Sequence, residues 1–259
     1  MKLGPLGSDE TIFSNIDSLN PDFVPKLLPY RENEQKEIAN SLEPLLKGIS
    51  GRNLFIYGKA GIGKTHVVKR VLEDLNEFGL PGIFINCWVH SESNAIIGSI
   101  AKQLGIIAEP SIERIKNRLS GSAIVFAFDE IDQAKELNFL YAILEEINMA
   151  GIILISNKPE FIATLDERIR SRLQPQMIEF RNYKPEEMRG ILKERRKYAF
   201  YEETWSEEAI KLLEEKTIEK ADIRFGLILM RNAGLNAEQD ASRIVLKKHV
   251  EQALEKLQS

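Results

Sequence analysis

Three glycines, two lysines and a threonine lie close together between an apolar run and a helical pattern. The eight residues match G-x-x-x-x-G-K-[ST] and are Gly58, Lys59, Ala60, Gly61, Ile62, Gly63, Lys64 and Thr65. Glycines let such a loop fold tightly, so that successive backbone N–H groups point at phosphate oxygens, and the helix N-terminus adds partial positive charge. Lys64 would reach the β- and γ-phosphates, and the Thr65 hydroxyl would bind Mg²⁺. The motif predicts a cradle for a nucleoside triphosphate.

Two other interpretations of this loop are weaker. A glycine-rich connection that binds nothing has a similar composition. Here, however, the loop follows the predicted strand Asn53–Tyr57 and opens the predicted helix Thr65–Phe78, which is the context that the motif requires. A dinucleotide fingerprint needs a glycine three residues after Gly63, where this chain has His66.

A second set of polar residues follows another apolar run, Ala123–Phe128. Asp129 at its end can hold Mg²⁺ through the water shell of the ion, and Glu130 can orient or deprotonate a water that attacks the γ-phosphate. A solvated acidic turn is the alternative, but the phosphate loop favours the functional interpretation. Asp132 completes the sequence Asp-Glu-Ile-Asp and is equally compatible with capping the next helix.

Short apolar runs alternate with longer helical patterns through the first two thirds of the chain. The predicted strands are Asn53–Tyr57, Ile83–Cys87, Ala123–Phe128, Ile152–Ser156 and Met177–Phe180. The predicted helices between them are Thr65–Phe78, Ala95–Leu104, Ile112–Leu119 and Leu137–Asn148. Each run is too short for a helix and rich in branched or aromatic residues, as in buried strands. The alternation predicts an α/β fold with a five-stranded parallel sheet covered on both faces.

Only helical patterns follow Phe180. Pro185 suits the first turn of a helix, Ser206 suits an N-cap, and two more helices are predicted at Ile223–Ala233 and Lys247–Leu257. The expected domains are therefore an N-terminal extension over residues 1–20, an α/β domain over 21–181 and a small all-helical domain over 182–259. Within the extension, Gly4–Ser8 resembles a vector-derived sequence.

The composition is that of a globular protein, with 43% hydrophobic and 29% charged residues. Its net charge of −4 gives no global attraction to nucleic acid or to anionic membranes, so such binding has to be local. A single cysteine, Cys87, cannot form an internal disulfide and is interpreted as a buried hydrophobe. No apolar run is long enough for a membrane helix and no signal peptide is recognisable, so we expect a cytoplasmic protein without a membrane partner.

Seven segments, in this order, resemble the AAA+ initiators that recognise replication origins and load the helicase, in their archaeal form. They are "LPYRENEQ" (Leu28–Gln35), the phosphate loop, "FDEID" (Phe128–Asp132), "ISN" (Ile155–Asn157), "LDERIRSRL" (Leu165–Leu173), "FRNYKPEEMRGIL" (Phe180–Leu192) and "ADIRFGLILMRNAG" (Ala221–Gly234). The resemblance covers roughly residues 21–257 and is specific in combination. It implies an AAA+ sheet followed by a helical lid, with ATP or ADP and Mg²⁺ as cofactors.

The resemblance also implies roles for further polar residues. Asn157 matches the first sensor, whose amide can hold the attacking water and detect the γ-phosphate. Arg224 matches the second sensor, which the lid presents to the γ-phosphate. Arg172 occupies the position of the arginine finger that reaches the nucleotide of a neighbouring subunit, with Arg168 and Arg170 as rivals. These three residues join Glu130 as the expected catalytic group.

The adenine pocket of the family matches four further residues, which are equally compatible with packing: Leu28, Pro29, Arg31 and Tyr183. His66, directly after the phosphate loop, completes the expected nucleotide-binding residues, and Thr65 and Asp129 form the expected metal site.

Family members normally continue into a winged-helix domain that binds origin DNA, whereas this sequence ends at Ser259, just past the predicted lid. The family also inserts a DNA-contacting helix after its second strand. The corresponding stretch here, Ser91–Gly105, contains Lys102 as its only lysine or arginine. We therefore expect weak, salt-sensitive binding to double-stranded origin DNA. The replicative helicase and a second initiator subunit or copy are the other expected partners.

Two alternatives for the function remain open at this stage. A clamp-loader-like AAA+ subunit also carries a Ser-Arg pair before its lid, although the "LPYRENE" segment and the Asp-x-Arg helix favour an initiator. A nucleotide-gated interaction module with negligible turnover would have the same sequence features. An ATPase that is slow as an isolated subunit is the principal expectation.

Overall fold

The computed structural model describes residues 11–21, 23–26 and 28–258, so the vector-like segment Gly4–Ser8 lies outside the described residues. The chain forms two compact units. Residues 31–181 form an α/β unit, and the described residues up to Tyr30 join those from Asn182 onward in a helical unit. The division after Arg181 lies where the sequence places it. The other boundary differs, because residues 21–30 were expected in the α/β domain, whereas the described residues of this stretch belong to the helical unit.

The α/β unit contains one sheet of five parallel strands in the order β2-β3-β4-β1-β5. The strands are β1 (Leu54–Tyr57), β2 (Gly82–Asn86), β3 (Ile124–Asp129), β4 (Ala150–Ser156) and β5 (Gln176–Glu179). Each lies within two residues of its predicted position. All six residues of β3 are buried, as expected for a strand whose two faces are both covered. The predicted fold class is confirmed.

Seven helices accompany the sheet: α1 (Glu32–Leu46), α2 (Lys64–Glu77), α3 (Ser93–Gln103), α4 (Ile112–Leu119), α5 (Asn138–Glu146), α6 (Phe161–Thr164) and α7 (Glu167–Leu173). The predictions for α2 to α5 are confirmed to within two residues at every end. The sequence analysis did not predict α1, which contains Pro44 two residues before its last residue, Leu46. Proline has no N–H and removes one i→i−4 hydrogen bond, but only two helical residues follow it. It also gave no helix assignment to α6 and α7, which are too short to show a periodic pattern.

The helical unit contains α8 (Pro185–Ala199), α9 (Glu207–Lys220), α10 (Ile223–Gln239) and α11 (Lys247–Gln258). Ser206 caps α9, because its side chain accepts a hydrogen bond from the N–H of Ala209, as predicted. The N-terminal segment joins this unit through Phe13, whose ring lies 4.6 Å from that of Phe200. Among the described helices, none is long and apolar enough to cross a membrane.

Candidate nucleotide-binding site

The glycine-rich loop connects the end of β1 to the start of α2, as the motif requires. Gly58 has φ of 148° and Gly63 has φ of 93°, so both adopt conformations that favour glycine. A Cβ atom at Gly58 would also lie 2.5 Å from the carbonyl oxygen of Phe180. Gly63 is the N-cap of α2 and supplies no capping side chain, which leaves the first N–H groups of the helix suited to an anion.

Lys64 places its ammonium group inside this loop. The side chain is buried, and Nζ donates to the carbonyl oxygens of Gly58 and Lys59, both at 2.8 Å. It also donates to Oδ1 of Asn157 at 2.7 Å. The structure therefore brings the predicted first sensor into direct contact with the lysine of the loop, although the two residues are 93 positions apart.

Thr65 and Asp129, the predicted metal ligands, are also in contact. The Thr65 hydroxyl donates to Oδ2 of Asp129 at 2.8 Å. Burial raises the pKa of Asp129 above its ordinary value, and the hydrogen bond from Thr65 opposes this effect only in part. One hydroxyl and one carboxylate suit Mg²⁺, which prefers oxygen ligands and usually takes only one or two from the protein. The two residues therefore fit the predicted cation.

Glu130 follows directly and adopts a left-handed backbone conformation with φ of 51°. Its Oε2 accepts a hydrogen bond from Nδ2 of Asn157 at 3.0 Å. Burial, followed by the charge of Asp129, raises the pKa of Glu130. The amide of Asn157 therefore bridges the ammonium of Lys64 and the carboxylate of Glu130.

Asp132 has a structural role that the sequence analysis missed. Its carboxylate accepts hydrogen bonds from Oγ of Ser156 at 2.7 Å and from Gln133, and it forms an ion pair with Nζ of Lys158 at 3.0 Å. Burial alone would raise the pKa of Asp132, but the hydrogen bonds from Ser156 and Lys158 outweigh it and lower that pKa. The available signal was the polar pair Ser156 and Lys158 on either side of Asn157, at the end of the strand beside β3.

Arg31, expected in the adenine pocket, lies behind the phosphate loop. Its guanidinium is fully buried and donates to the carbonyl oxygens of Ile62 and Arg181. It also pairs with Glu34 at 2.6 Å and lies 5.2 Å from the centre of the Phe180 ring. The packing alternative therefore describes Arg31 better than direct contact with a base. His66 is half-buried in the first turn of α2.

Four other predicted nucleotide-binding residues belong to the helical unit. Leu28, Pro29 and Tyr183 are half-buried, and Tyr183 packs against the apolar core of that unit. Arg224 is exposed in the first turn of α10, where the Asp222 side chain accepts its backbone N–H at 2.8 Å. Their roles in nucleotide binding stay predictions.

The three candidate finger arginines all lie on α7, and each is exposed. Arg172 pairs with Glu145 at 2.5 Å and lies 5.6 Å from the centre of the Tyr141 ring. Arg168 pairs with Asp166 at 3.1 Å. Within the described residues, no hydrogen bond or ion pair holds the side chain of Arg170. Among the three candidate fingers, Arg170 is therefore free in the described part of the chain, whereas Arg168 and Arg172 are paired with surface carboxylates.

Cys87 follows β2 and is fully buried. Burial, followed by the charge of Asp129, raises the pKa of its thiol to about 12. A thiol with this pKa is protonated at neutral pH and therefore unreactive. The interpretation of Cys87 as a buried hydrophobe is confirmed.

The fold and the site define a P-loop protein of the AAA class. The AAA ATPase domain family matches residues 27–155, and the Cdc6 AAA+ ATPase-type lid domain family matches residues 189–255. A solved structure described as the Aeropyrum pernix ORC1 protein in complex with DNA has a TM-score of 0.86 and 28% sequence identity. That similarity covers 96% of this chain and 71% of the other.

Curated relatives narrow this class. ORC1-type DNA replication protein 2 of Methanosarcina acetivorans is 30% identical over 95% of this chain and 72% of its own length. ORC1-type DNA replication protein 1 of Sulfurisphaera tokodaii is 34% identical over 95% of this chain and 67% of its own length. The chain belongs to the ORC1-type DNA replication protein family. This membership confirms the resemblance drawn from the sequence and favours it over a clamp-loader subunit.

Proposed function

We propose that this chain is the ATP-binding and ATP-hydrolysing module of a replication initiator, in which nucleotide state controls origin binding and helicase recruitment. The observation that carries the proposal is the contact of Asn157 with both Lys64 and Glu130, beside the contact of Thr65 with Asp129. Phosphate-binding, metal-binding and water-activating groups thus meet at one edge of the sheet. Membership of the ORC1-type family supports the biological role.

Each group in the site has a chemical task in this proposal. The N–H groups of the loop and the ammonium of Lys64 bind the β- and γ-phosphates, and Thr65 and Asp129 hold Mg²⁺. The cation, when bound, neutralises charge on the phosphate oxygens. Glu130 orients a water molecule and accepts its proton. Burial and the charge of Asp129 raise the pKa of Glu130, which makes its carboxylate a stronger base than that of an ordinary glutamate. Asn157 holds that water in line with the γ-phosphate.

Two arginines complete the proposed ATPase. Arg224 reports the γ-phosphate to the helical unit, and Arg172 acts on the nucleotide of a neighbouring subunit. Arginine suits both tasks because it stays charged and presents a planar fork to phosphate. Hydrolysis would remove the group that Arg224 contacts and would release the helical unit, thereby linking nucleotide state to domain arrangement.

The proposed DNA partner is supported by a relative, and the proposed protein partners by the resemblance drawn from the sequence. The Aeropyrum pernix protein named above is described in complex with DNA. Because the chain has a net charge of −4, DNA contacts would rely on local groups of cations, and their affinity would fall steeply with salt. The replicative helicase and a second initiator subunit are the proposed protein partners.

The deciding experiment measures ATP binding and turnover for the wild type, Lys64→Ala and Glu130→Gln. Lys47→Ala is a matched control, because Lys47 is an exposed lysine that pairs with Glu43. We expect Lys64→Ala to lose ATP binding, Glu130→Gln to bind ATP without hydrolysing it, and Lys47→Ala to behave as the wild type. No binding by the wild type at millimolar ATP would refute the proposal.

A second candidate function is a nucleotide-gated interaction module with negligible turnover. It is favoured by one observation, namely that Arg172, the predicted arginine finger, is paired with Glu145 of the same chain. The same experiment separates the two candidates. The interaction module would be supported if ATP binds tightly and if turnover is equally negligible in the wild type and in Glu130→Gln at every protein concentration tested.

A further inference from the structure

We propose that Arg31 couples nucleotide occupancy of the phosphate loop to the two chain connections that link the α/β unit to the helical unit. The inference rests on the proposed binding of nucleotide at this loop and adds a residue through which that binding acts. Arg31 does not contact the nucleotide in this proposal. It is a positioning residue that acts through the backbone of the loop.

The first support is where Arg31 and its partner lie in the chain. Arg31 is the first residue of the α/β unit and Arg181 is the last, so the chain leaves the unit beside each of them. Nη2 of Arg31 donates to the carbonyl oxygen of Arg181 at 2.6 Å. One guanidinium therefore holds the two connections to each other.

The second support is the contact of the same guanidinium with the phosphate loop. Nε and Nη2 of Arg31 donate to the carbonyl oxygen of Ile62 at 3.3 Å and 3.1 Å. A peptide bond is planar and trans, so the N–H of Gly63 points away from the carbonyl oxygen of Ile62. By holding that oxygen, Arg31 fixes the direction of an N–H group that belongs to the phosphate-binding motif.

This geometry makes the coupling reciprocal. A phosphate oxygen that accepts from the N–H of Gly63 polarises the peptide group and strengthens its carbonyl oxygen as an acceptor. The bond from Arg31 to Ile62 then strengthens as well. Because coupling is reciprocal, the contact of Arg31 with Arg181 favours phosphate binding by the same free energy by which phosphate binding favours that contact. Gly58 adds a steric contact, because its backbone packs closely against Phe180, next to Arg181.

The chemistry of the position favours arginine over other residues. The side chain is fully buried, and its charge is balanced by Glu34. Burying a charged pair contributes little net stability compared with apolar packing, so stability alone does not explain an arginine here. Its planar fork reaches two carbonyl oxygens and one carboxylate at once, which the single nitrogen of lysine cannot do.

The test uses an arginine-specific protease, which cleaves the bond between Arg181 and Asn182. Cleavage requires the carbonyl of Arg181 to enter the protease, and that carbonyl is held by Arg31. The variants are Arg31→Lys, which keeps a positive charge for Glu34, and Arg70→Lys. The latter is a matched control, because Arg70 is a surface arginine of α2 that pairs with Glu73 and Asp74. Mass spectrometry follows the fragment that begins at Asn182.

In the wild type and in Arg70→Lys, we expect a nonhydrolysable ATP analogue with Mg²⁺ to slow cleavage after Arg181. In Arg31→Lys we expect faster cleavage without nucleotide, no protection by the analogue, and about tenfold weaker analogue binding, the loss typical of one hydrogen bond to a charged group. Equal cleavage and equal protection in the wild type and Arg31→Lys would overturn the inference.

Hydrogen exchange of the wild type provides a test without substitution, in case Arg31→Lys fails to fold. The peptide spanning residues 178–185 should exchange more slowly when the analogue is bound, and unchanged exchange would overturn the inference. If the wild type does not bind the analogue at all, the proposed function fails and this inference fails with it. If the wild type binds the analogue and residues 178–185 do not respond, only the inference fails.

Discussion

The hydroxyl of Thr65 donates a hydrogen bond to the carboxylate of Asp129 at 2.8 Å, although the two residues are 64 positions apart. Thr65 lies in the first turn of α2, and Asp129 ends β3. The contact forms because parallel strands present their carboxyl ends at the same edge of the sheet, where the loop after β1 also lies. Asp129 is only 4% exposed, so its charge is poorly solvated without a cation.

The first prediction concerns Asp129→Asn. The amide keeps an oxygen that can accept from Thr65 but lacks the charge that attracts Mg²⁺. We expect Mg²⁺ to strengthen ATP binding in the wild type, and the affinity for Mg²⁺ at this site to fall by at least about tenfold in the variant. Calorimetric titration with ATP, with and without Mg²⁺, measures both effects. Asp74→Asn changes a surface carboxylate of α2 and should keep the wild-type response. An unchanged Mg²⁺ effect in Asp129→Asn would exclude Asp129 as a ligand.

The second prediction concerns Glu130→Gln and has two parts. Removal of a general base lowers turnover by about a hundredfold or more, whereas ATP binding should be kept. The pKa of Glu130 is raised, so the folded chain holds this proton more tightly than the unfolded chain does. The stability from this group is therefore present at low pH and lost as pH rises through the raised pKa.

Glutamine at this position cannot ionise, so Glu130→Gln should escape that loss of stability. Without nucleotide, we expect its Tm at neutral pH to exceed the wild-type value by on the order of 1–3 °C. The difference should shrink as pH falls through the titration of Glu130. Thermal unfolding across an acid-to-neutral series measures this effect. A lower Tm than the wild type at neutral pH would contradict the proposed cost of the buried charge.

The sequence predicted the sheet, the phosphate loop and the pair Asp129 and Glu130, because each depends on local signals. The apolar composition of β3 is enough to indicate that the strand is buried. The phosphate loop is recognised by its fixed spacing of glycine, lysine and threonine. Such features need no knowledge of distant contacts. This explains why five strands could be predicted from the length and the composition of the apolar runs.

Features that depend on distant contacts were not predictable in the same way. Arg31 carries no local sign that its guanidinium reaches Ile62 and Arg181, and α1 is interrupted by Pro44 in the sequence pattern. Asp132 resembles a helix cap until the neighbouring strand supplies Ser156 and Lys158. In each case the partner comes from another element, so only the folded chain identifies it.

The third prediction concerns Asp132 and Ser156, which position Asn157. Asp132 binds Ser156 and Lys158, the two neighbours of Asn157, and Ser156 also accepts the backbone N–H of Lys158 at 3.0 Å. Ser156→Ala should lower turnover by about tenfold, the effect of losing one hydrogen bond that positions a catalytic group. It should change the Kd for ATP by less than about twofold, because Lys64 keeps its hydrogen bonds to the loop carbonyls of Gly58 and Lys59.

Asp132→Asn is the companion variant, because it keeps an acceptor for Ser156 but loses the ion pair with Lys158. We expect a smaller loss of turnover than in Ser156→Ala. The double variant should lose less than the two single losses multiplied, since both act through Asn157. Steady-state turnover and a separate ATP-binding titration measure these effects. A parallel loss of ATP affinity and of Tm in Ser156→Ala would show a general structural role instead.

The last prediction concerns the arginine finger. Arg172 is the predicted finger, and its exposed pair with Glu145 is worth at most about 1 kcal/mol, so a neighbouring nucleotide can displace it. Turnover per subunit should rise with protein concentration in the wild type, and Arg172→Ala should abolish this rise. Glu145→Gln should strengthen it, because Arg172 is then free. Lys64→Ala protein offers its own Arg172 without binding ATP, so adding it should stimulate the turnover of dilute wild-type protein. The double variant Lys64→Ala, Arg172→Ala should not stimulate it. If Arg170→Ala abolishes the stimulation and Arg172→Ala does not, then the unpaired Arg170 is the finger.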